Sequence, residues 1–364
     1  MIRSLLWIAL LGLGACNTYT TGVESSTLKK KPKNIILMIG DGMGLTQITA
    51  GLYRNGNKLH LEAFPVVGLH KSYSGSDLIT DSAAGATAFA CGVKSYNSAI
   101  GVDMDTMPVK TILEIAEALG MASGLVATST ITHATPASFI AHVKDRDMHE
   151  AIALDFLKTD IDLIIGGGKK FFDRRATDDR NLYAEMEQRG YYVSDYFKEN
   201  LADIKADPTK NLAYFTADDD PLSKSSGRDY LPEAARFAVN FLSQKAGKEG
   251  FFLMIEGSQI DWGGHANNSE YIISETIDFD QAIGQILDFA KRDGETLVIV
   301  TADHETGGYA INPGSTQDSI VAGFTSKYHT AALIPVFAYG PGAELFSGIF
   351  ENTAIFDRMR EILD

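Results

Sequence analysis

A chain of 364 residues, 45% hydrophobic and 10% aromatic, has the composition of a soluble globular protein with a sizeable core. Its length suits one large α/β domain better than two full-sized ones. With 32 basic against 47 acidic residues, the formal net charge is −15, which argues against general attachment to nucleic acid, and no such partner is expected. So acidic a protein also repels phosphate esters, so a phosphate site here needs strong local positive charge of the kind metal ions supply.

At the N-terminus, Met1-Ile2-Arg3 is a short basic start and Leu5 to Leu13 a compact apolar run. The run is too short to span a bilayer and reads as the core of a secretory signal. Leu13-Gly14-Ala15-Cys16 resembles a bacterial lipobox, in which the cysteine carries lipid and becomes the mature N-terminus. The other reading is a plain signal peptide with Cys16 merely near the cut. Residues 1–15 are therefore expected to be a signal peptide of lipoprotein type, and 16–33 a flexible tether that begins Asn17-Thr18-Tyr19-Thr20-Thr21-Gly22. The expected destination is the periplasm, or the outer membrane through a lipid anchor at Cys16. Cys91 is the other cysteine; with Cys16 acylated no internal disulfide forms, and Cys91 reads as a small buried apolar residue.

Residues 34–364 then read as one domain. Six short apolar runs predict buried strands: Asn34–Gly40, Leu125–Ser129, Leu163–Gly166, Phe251–Gly257, Leu297–Ala302 and Pro335–Gly340. Helical patterns fall between several of them, at Val109–Leu119, Ala151–Leu157, Pro232–Gln244 and Ser274–Lys291. Strands buried on both faces and alternating with helices predict an α/β fold with a mainly parallel sheet between helical layers. The more polar segment 169–231 is expected at the periphery, or as a lid. Asn312–Tyr328 is expected to loop back to the active face.

In open α/β sheets ligands bind beyond the carboxyl ends of the strands. Three runs deliver a carboxylate there: Asp41, Glu256 and Asp303. Buried acids at such positions are costly unless paired or bound to cations, and three of them read best as a cation site. Asp261 and His265 have the i, i+4 spacing that puts both on one face of a helical turn. His304 follows Asp303 directly, and His329 follows the returning loop. Zinc accepts histidine nitrogen and carboxylate oxygen, so this mixture suits it. Ser82, in Thr80-Asp81-Ser82-Ala83-Ala84-Gly85, has two compatible readings. One is a helix start capped by Asp81 or Ser82; the other is a nucleophile lying beside backbone N–H groups that suit an anion.

Taken with Ile39–Gly44, Thr80–Thr87, Gly92–Asn97, Thr135-Pro136-Ala137, Val300–His304 and His329-Thr330, the chain resembles the alkaline phosphatase family, with its motifs in the family's order. The resemblance runs from about Lys33 to Gly342 and is weakest across 169–231 and 312–328. It implies a three-layer αβα sandwich with a large, mostly parallel central sheet, and makes 34–364 the catalytic domain. It also implies hydrolysis of small phosphate monoesters at alkaline pH through a phosphoserine on Ser82, with inorganic phosphate as product and a homodimeric state. Two zinc ions per chain are implied, one held by Asp261, His265 and His329, the other by Asp41, Asp303 and His304. A third ion, usually magnesium though zinc fits the same pattern, would be held by Asp41, Thr135 and Glu256. Arg146 matches the arginine that binds phosphate, and Asp81 would orient it.

Two positions depart from the best-known bacterial pattern. His133 stands where an Asp is often found near the third metal, and Trp262 replaces a Lys beside Asp261. Both are expected to act behind the ligands, and they put the identity of the third metal in doubt. The competing reading is a related phosphoryl-transfer enzyme on the same metal core, such as a phosphodiesterase. A sulfatase is excluded because Ala83-Ala84 follow Ser82. His60, His70, His142 and His149 match no ligand position and read as surface or satisfied core histidines. Gly166-Gly167-Gly168-Lys169 lacks P-loop spacing and reads as a strand-exit turn.

Overall fold

The computed structural model describes residues 30–364. The expected signal peptide 1–15 and Cys16 lie outside the described residues, as does most of the tether. At its near end Pro32 is buried and the Lys33 N–H donates to the Glu295 carbonyl.

Among the described residues fourteen strands follow in order: β1 (Asn34–Gly40), β2 (Val66–Lys71), β3 (Ala122–Thr130), β4 (Leu163–Gly167), β5 (Tyr192–Asp195), β6 (Leu212–Phe215), β7 (Phe251–Gly257), β8 (Thr296–Thr301), β9 (Glu305–Thr306), β10 (Ala310–Ile311), β11 (Ala322–Gly323), β12 (His329–Thr330), β13 (Ile334–Tyr339) and β14 (Gly348–Glu351). Ten of them form one sheet in the order β14-β2-β13-β8-β1-β7-β3-β4-β6-β5. Every neighbouring pair is parallel except those of β13, which runs against both β8 and β2.

Alternation along β1 builds the layers. Ile35, Leu37 and Ile39 face one core with Phe89, Ile112, Ile152 and Met359, while Ile36 and Met38 face the other with Ala50, Ala238, Leu242 and Ile283. On the first side lie α1 (Ser82–Cys91), α2 (Ile112–Ala118), α3 (His149–Asp155) and, near the chain's end, Ala354–Leu363. The other side carries α4 (Leu231–Lys245) and α5 (Ser269–Asp293), together with Leu45–Arg54. This is a three-layer αβα sandwich with a mostly parallel sheet, held by two cores.

The segment 169–231 lies at one edge of the sheet and takes part in it. It supplies β5 and β6, which pair in parallel and extend the sheet from β4. Its four-residue strands sit at the sheet's edge between charged loops, so their apolar signal is brief. β2 and β14, at the opposite edge, were likewise not expected. The segment 312–328 pairs β11 with β10 and brings the Lys327 carbonyl to His265. Among the described residues no helix is long and apolar enough to cross a membrane. Cys91 is buried and free, and burial pushes its thiol well up, which suits a packing role.

Candidate active site and metal centre

The carboxyl ends of β1, β7 and β8, adjacent in the sheet, deliver Asp41, Glu256 and Asp303 to one place. The turn after β1 lies hard against the helical segment Gln259–His265. Gly42 has φ +71°, and a Cβ there would fall 2.7 Å from Asp261 Cα. That helical segment puts Asp261 and His265 on one face, with Oδ2 and Nε2 3.3 Å apart. β12 pairs antiparallel with β9, setting His329 opposite Thr306 and beside the ligands that follow β8. Helix α1 closes in on the other side. A Cβ on Gly85 would lie 3.0 Å from Asp303 Cβ, so the absence of a side chain lets the two approach.

Three sets of donors result, the donor atoms within each lying within 4.8 Å of one another: Asp261, His265 and His329; Asp41, Asp303 and His304; and Asp41, His133 and Glu256. The first two are the groupings expected from sequence. In the third, His133 stands among the donors rather than behind them. The hydroxyl of Thr135 is buried there without a hydrogen-bond partner.

Hydrogen bonds on the far side of each imidazole fix its tautomer. His265 Nδ1–H donates to the Lys327 carbonyl at 2.7 Å and His329 Nδ1–H to the Thr80 carbonyl at 2.8 Å. A carbonyl only accepts, so in the neutral ring each Nε2 keeps its lone pair, and the two Nε2 atoms face each other 3.1 Å apart. Thr306 Oγ1 donates to Asp261 Oδ1, which leaves it to accept from His304 Nδ1 at 3.2 Å. His304 Nε2 then points toward Asp303 Oδ2 (3.2 Å), Asp41 Oδ1 (3.6 Å) and Ser82 Oγ (3.3 Å). Sequence reasoning passed over Thr306, whose partners lie in two different donor sets.

The buried polar atoms test whether cations fit. Both carboxylate oxygens of Asp41, Glu256 Oε1, Asp303 Oδ2 and His133 Nδ1 have no hydrogen-bond partner. Native interiors pair nearly all such groups, and buried carboxylate oxygens that outnumber the donors around them are what cations satisfy. Burial pushes Glu256 and Asp303 up to about 7 and Asp41 well above the carboxylate range, the Asp41 rise helped by Asp303. Burial also pushes Asp261 up, but the hydrogen bond with His265 and the charges of His304 and His329 reverse this and hold it low. Burial and Arg146 lower His133 to about 3, which keeps its imidazole neutral and able to ligate. The donor set fits cations.

Ser82 is the buried first residue of α1, with Asp81 as N-cap. Asp81 Oδ1 accepts from the Ala84 N–H at 3.0 Å and Oδ2 from Arg146 Nη1 at 3.0 Å. Arg146 Nη2 reaches within 3.4 Å of His133 Nε2, and the His133 ring meets Trp262 edge-on with centroids 6.0 Å apart. Every site residue expected from sequence is therefore in or beside one cluster. The four other histidines lie elsewhere: His142 has both ring nitrogens partnered, by the Gly101 carbonyl and Glu114, while His70 donates Nε2–H to the Ala302 carbonyl and leaves Nδ1 buried without a partner.

A carboxylate–imidazole centre at the carboxyl ends of a parallel sheet, with a helix-start serine and an arginine beside it, defines a metal-dependent α/β enzyme. The alkaline phosphatase family model matches residues 32–322, and the chain belongs to the alkaline phosphatase family, whose members are phosphoric monoester hydrolases. It is 40% identical over 359 residues to alkaline phosphatase 3 of Bacillus subtilis (strain 168), covering 92% of this chain and 75% of that one. Among solved structures it resembles the alkaline phosphatase of the Antarctic bacterium TAB5 at a TM-score of 0.85 and 45% identity, covering 92% of this chain and 98% of that one. A TAB5 mutant with a histidine changed to Asp and Mg bound in the M3 site matches equally well, with TM-score 0.85, 44% identity and coverage of 92% and 98%.

Proposed function

We propose that this alkaline phosphatase works through a phosphoserine on Ser82, with two zinc ions and a third metal, magnesium by expectation. The observation that carries the reading is the placement of Ser82 Oγ, 3.3 Å from His304 Nε2 and at the head of a helix whose cap, Asp81, holds Arg146. Asp261, His265 and His329 would hold one zinc and Asp41, Asp303 and His304 the other. Asp41, Glu256, Thr135 and His133 would hold the third ion. When bound, the metals supply Lewis acidity that favours an ionised hydroxyl and offsets charge on the transferring phosphoryl group.

The protein's own groups do the rest. The Arg146 guanidinium, held by Asp81, clamps two non-bridging phosphoryl oxygens with parallel N–H bonds. The N-terminus of α1 adds backbone N–H groups suited to an anion. Ser82 Oγ attacks phosphorus in line, the Oγ–P bond forms, and the ester oxygen leaves and takes a proton as an alcohol. Water then attacks the phosphoserine from the side the alcohol has left, opposite Oγ, the Oγ–P bond breaks, Ser82 Oγ takes a proton from that water, and inorganic phosphate departs. Trp262, where a lysine would add positive charge, leaves Arg146 as the cationic side chain that serves the phosphate and favours product release. Export, lipid anchorage at Cys16 and a homodimer belong to this reading, supported by the leader's pattern and the family resemblance.

The test is Ser82→Ala. Turnover of an aryl phosphate should fall by at least about 10³-fold, the scale at which nucleophile loss leaves only binding and electrostatics, with metal content near that of the parent. Unchanged turnover refutes the mechanism.

A further inference from the structure

We infer that Asn97 is a positioning residue that sets the nucleophile against the phosphate clamp; the inference rests on the Ser82–Arg146 reading above. The loop before α1 and the loop after it lie side by side, and Asn97 is where they are latched. Its Oδ1 accepts from the Asp81 N–H at 3.1 Å and its Nδ2 donates to the Ile79 carbonyl at 3.0 Å. One amide thus spans the three residues immediately before Ser82, offering an acceptor to an N–H and a donor to a C=O. Among side chains of this length only asparagine presents both. The Asn97 N–H is in turn held by Ser76 Oγ at 3.2 Å.

The next residue extends the latch. Ser98 is a non-glycine residue with φ +78°, in the left-handed region that side chains with a Cβ adopt only under strain. In that strained turn its N–H donates to Asp81 Oδ2 at 2.9 Å, the same oxygen that takes Arg146 Nη1. The Asp81 carboxylate is therefore aimed by Ala84 and Ser98 before it meets the guanidinium.

The same segment grips the Arg146 loop. Tyr96 Oη donates to the Lys144 carbonyl at 2.9 Å, and Ile100 and Val143 form an antiparallel bridge with both N–H···O bonds at 3.0 Å. Tyr96 to Ile100 thus forms one brace, with the serine's loop on one side and the arginine's loop on the other. Asn97 makes the attachment on the serine side. No residue from Tyr96 to Ile100 belongs to the three donor sets, though Thr80, inside the latched span, accepts from His329 Nδ1, so loosening the brace shifts Ser82 and Arg146 relative to each other without removing a metal ligand.

The experiment compares the metal-loaded parent with Asn97→Ala and Asn97→Asp. Asn97→Asp keeps an acceptor for Asp81 but turns a second acceptor on the Ile79 carbonyl. The readouts are kcat, competitive inhibition by inorganic phosphate, metal content and thermal unfolding. A displacement on the ångström scale costs up to about 100-fold in rate. For each variant we expect kcat to fall about 10- to 100-fold and the phosphate inhibition constant to rise at least several-fold, with metal content unchanged. Parental kcat and phosphate inhibition in either folded variant overturn the inference. So does a loss of activity wholly accounted for by lost metal or unfolded protein. An active Ser82→Ala enzyme would instead overturn the underlying reading, so the two failures are distinguishable.

Discussion

His70 offers a quantitative prediction that the fold alone supports. It lies fully buried on β2, its ring edge-on to Phe89 at 5.3 Å between centroids, and its Nε2–H donates to the Ala302 carbonyl at 2.8 Å. Burial lowers its pKa from the ordinary 6.5 to about 4. Between those values the unfolded chain binds a proton that the folded chain refuses, so stability falls as pH falls through this window. At about 1.4 kcal/mol per tenfold difference in proton affinity, the contribution lost below pH 4 approaches about 3 kcal/mol. Ala302 immediately precedes Asp303 and His304, so the titration loosens β2 from a strand exit that carries two donors. His70→Gln retains an N–H for the carbonyl and does not titrate. Denaturant unfolding of both proteins, stripped with chelator so that metal release drops out, should be measured from pH 7.5 to 4. The parent should lose about 2–3 kcal/mol more than the variant across that range. Parallel pH profiles would refute the argument.

Two further substitutions probe the architecture behind the site. Gly85→Ala raises the helix propensity of α1 by about 1 kcal/mol, yet its Cβ would meet Asp303 Cβ at 3.0 Å; elemental analysis should find less bound metal, and an unchanged content would contradict the packing described. Arg228→Met leaves Glu275 and Asp278 buried without the guanidinium that binds them at 2.6 and 2.7 Å. Breaking such a cluster should cost about 3 kcal/mol in unfolding free energy, and a loss under about 1 kcal/mol would show the charges to be better hydrated than the structure implies.

The elements legible from sequence were those with continuous signals. β1 and β7 have the bounds their apolar runs predict, because both faces of each strand are buried and the polar residues, Asn34 and Glu256, fall only near the ends. β2 mixes exposed and buried positions and hides His70 among them, while β5, β6 and β14 are four-residue strands near the sheet's edges; none carries enough apolar residues to stand out. The donor residues were legible because carboxylates at the ends of buried strands are physically anomalous without a cation. Contacts between distant segments left no such trace. Thr306 bridges to Asp261 across 45 positions, and Asn97 acts on Ile79 and Asp81 through a turn whose left-handed residue is a serine, not the glycine that would have advertised it. The sequence marks His133 as a variant position, but only the fold shows its ring nitrogen within the group of Asp41 and Glu256.

The central claim is covalent: the phosphoryl group passes to Ser82. The metal-loaded enzyme mixed with excess aryl phosphate, quenched in acid within one turnover and digested for mass spectrometry, tests it directly. A phosphoryl group on Ser82, absent after quenching without substrate and absent from Ser82→Ala, is the predicted result. Turnover that proceeds with no phosphorylated Ser82 at any quench time or pH would contradict the account.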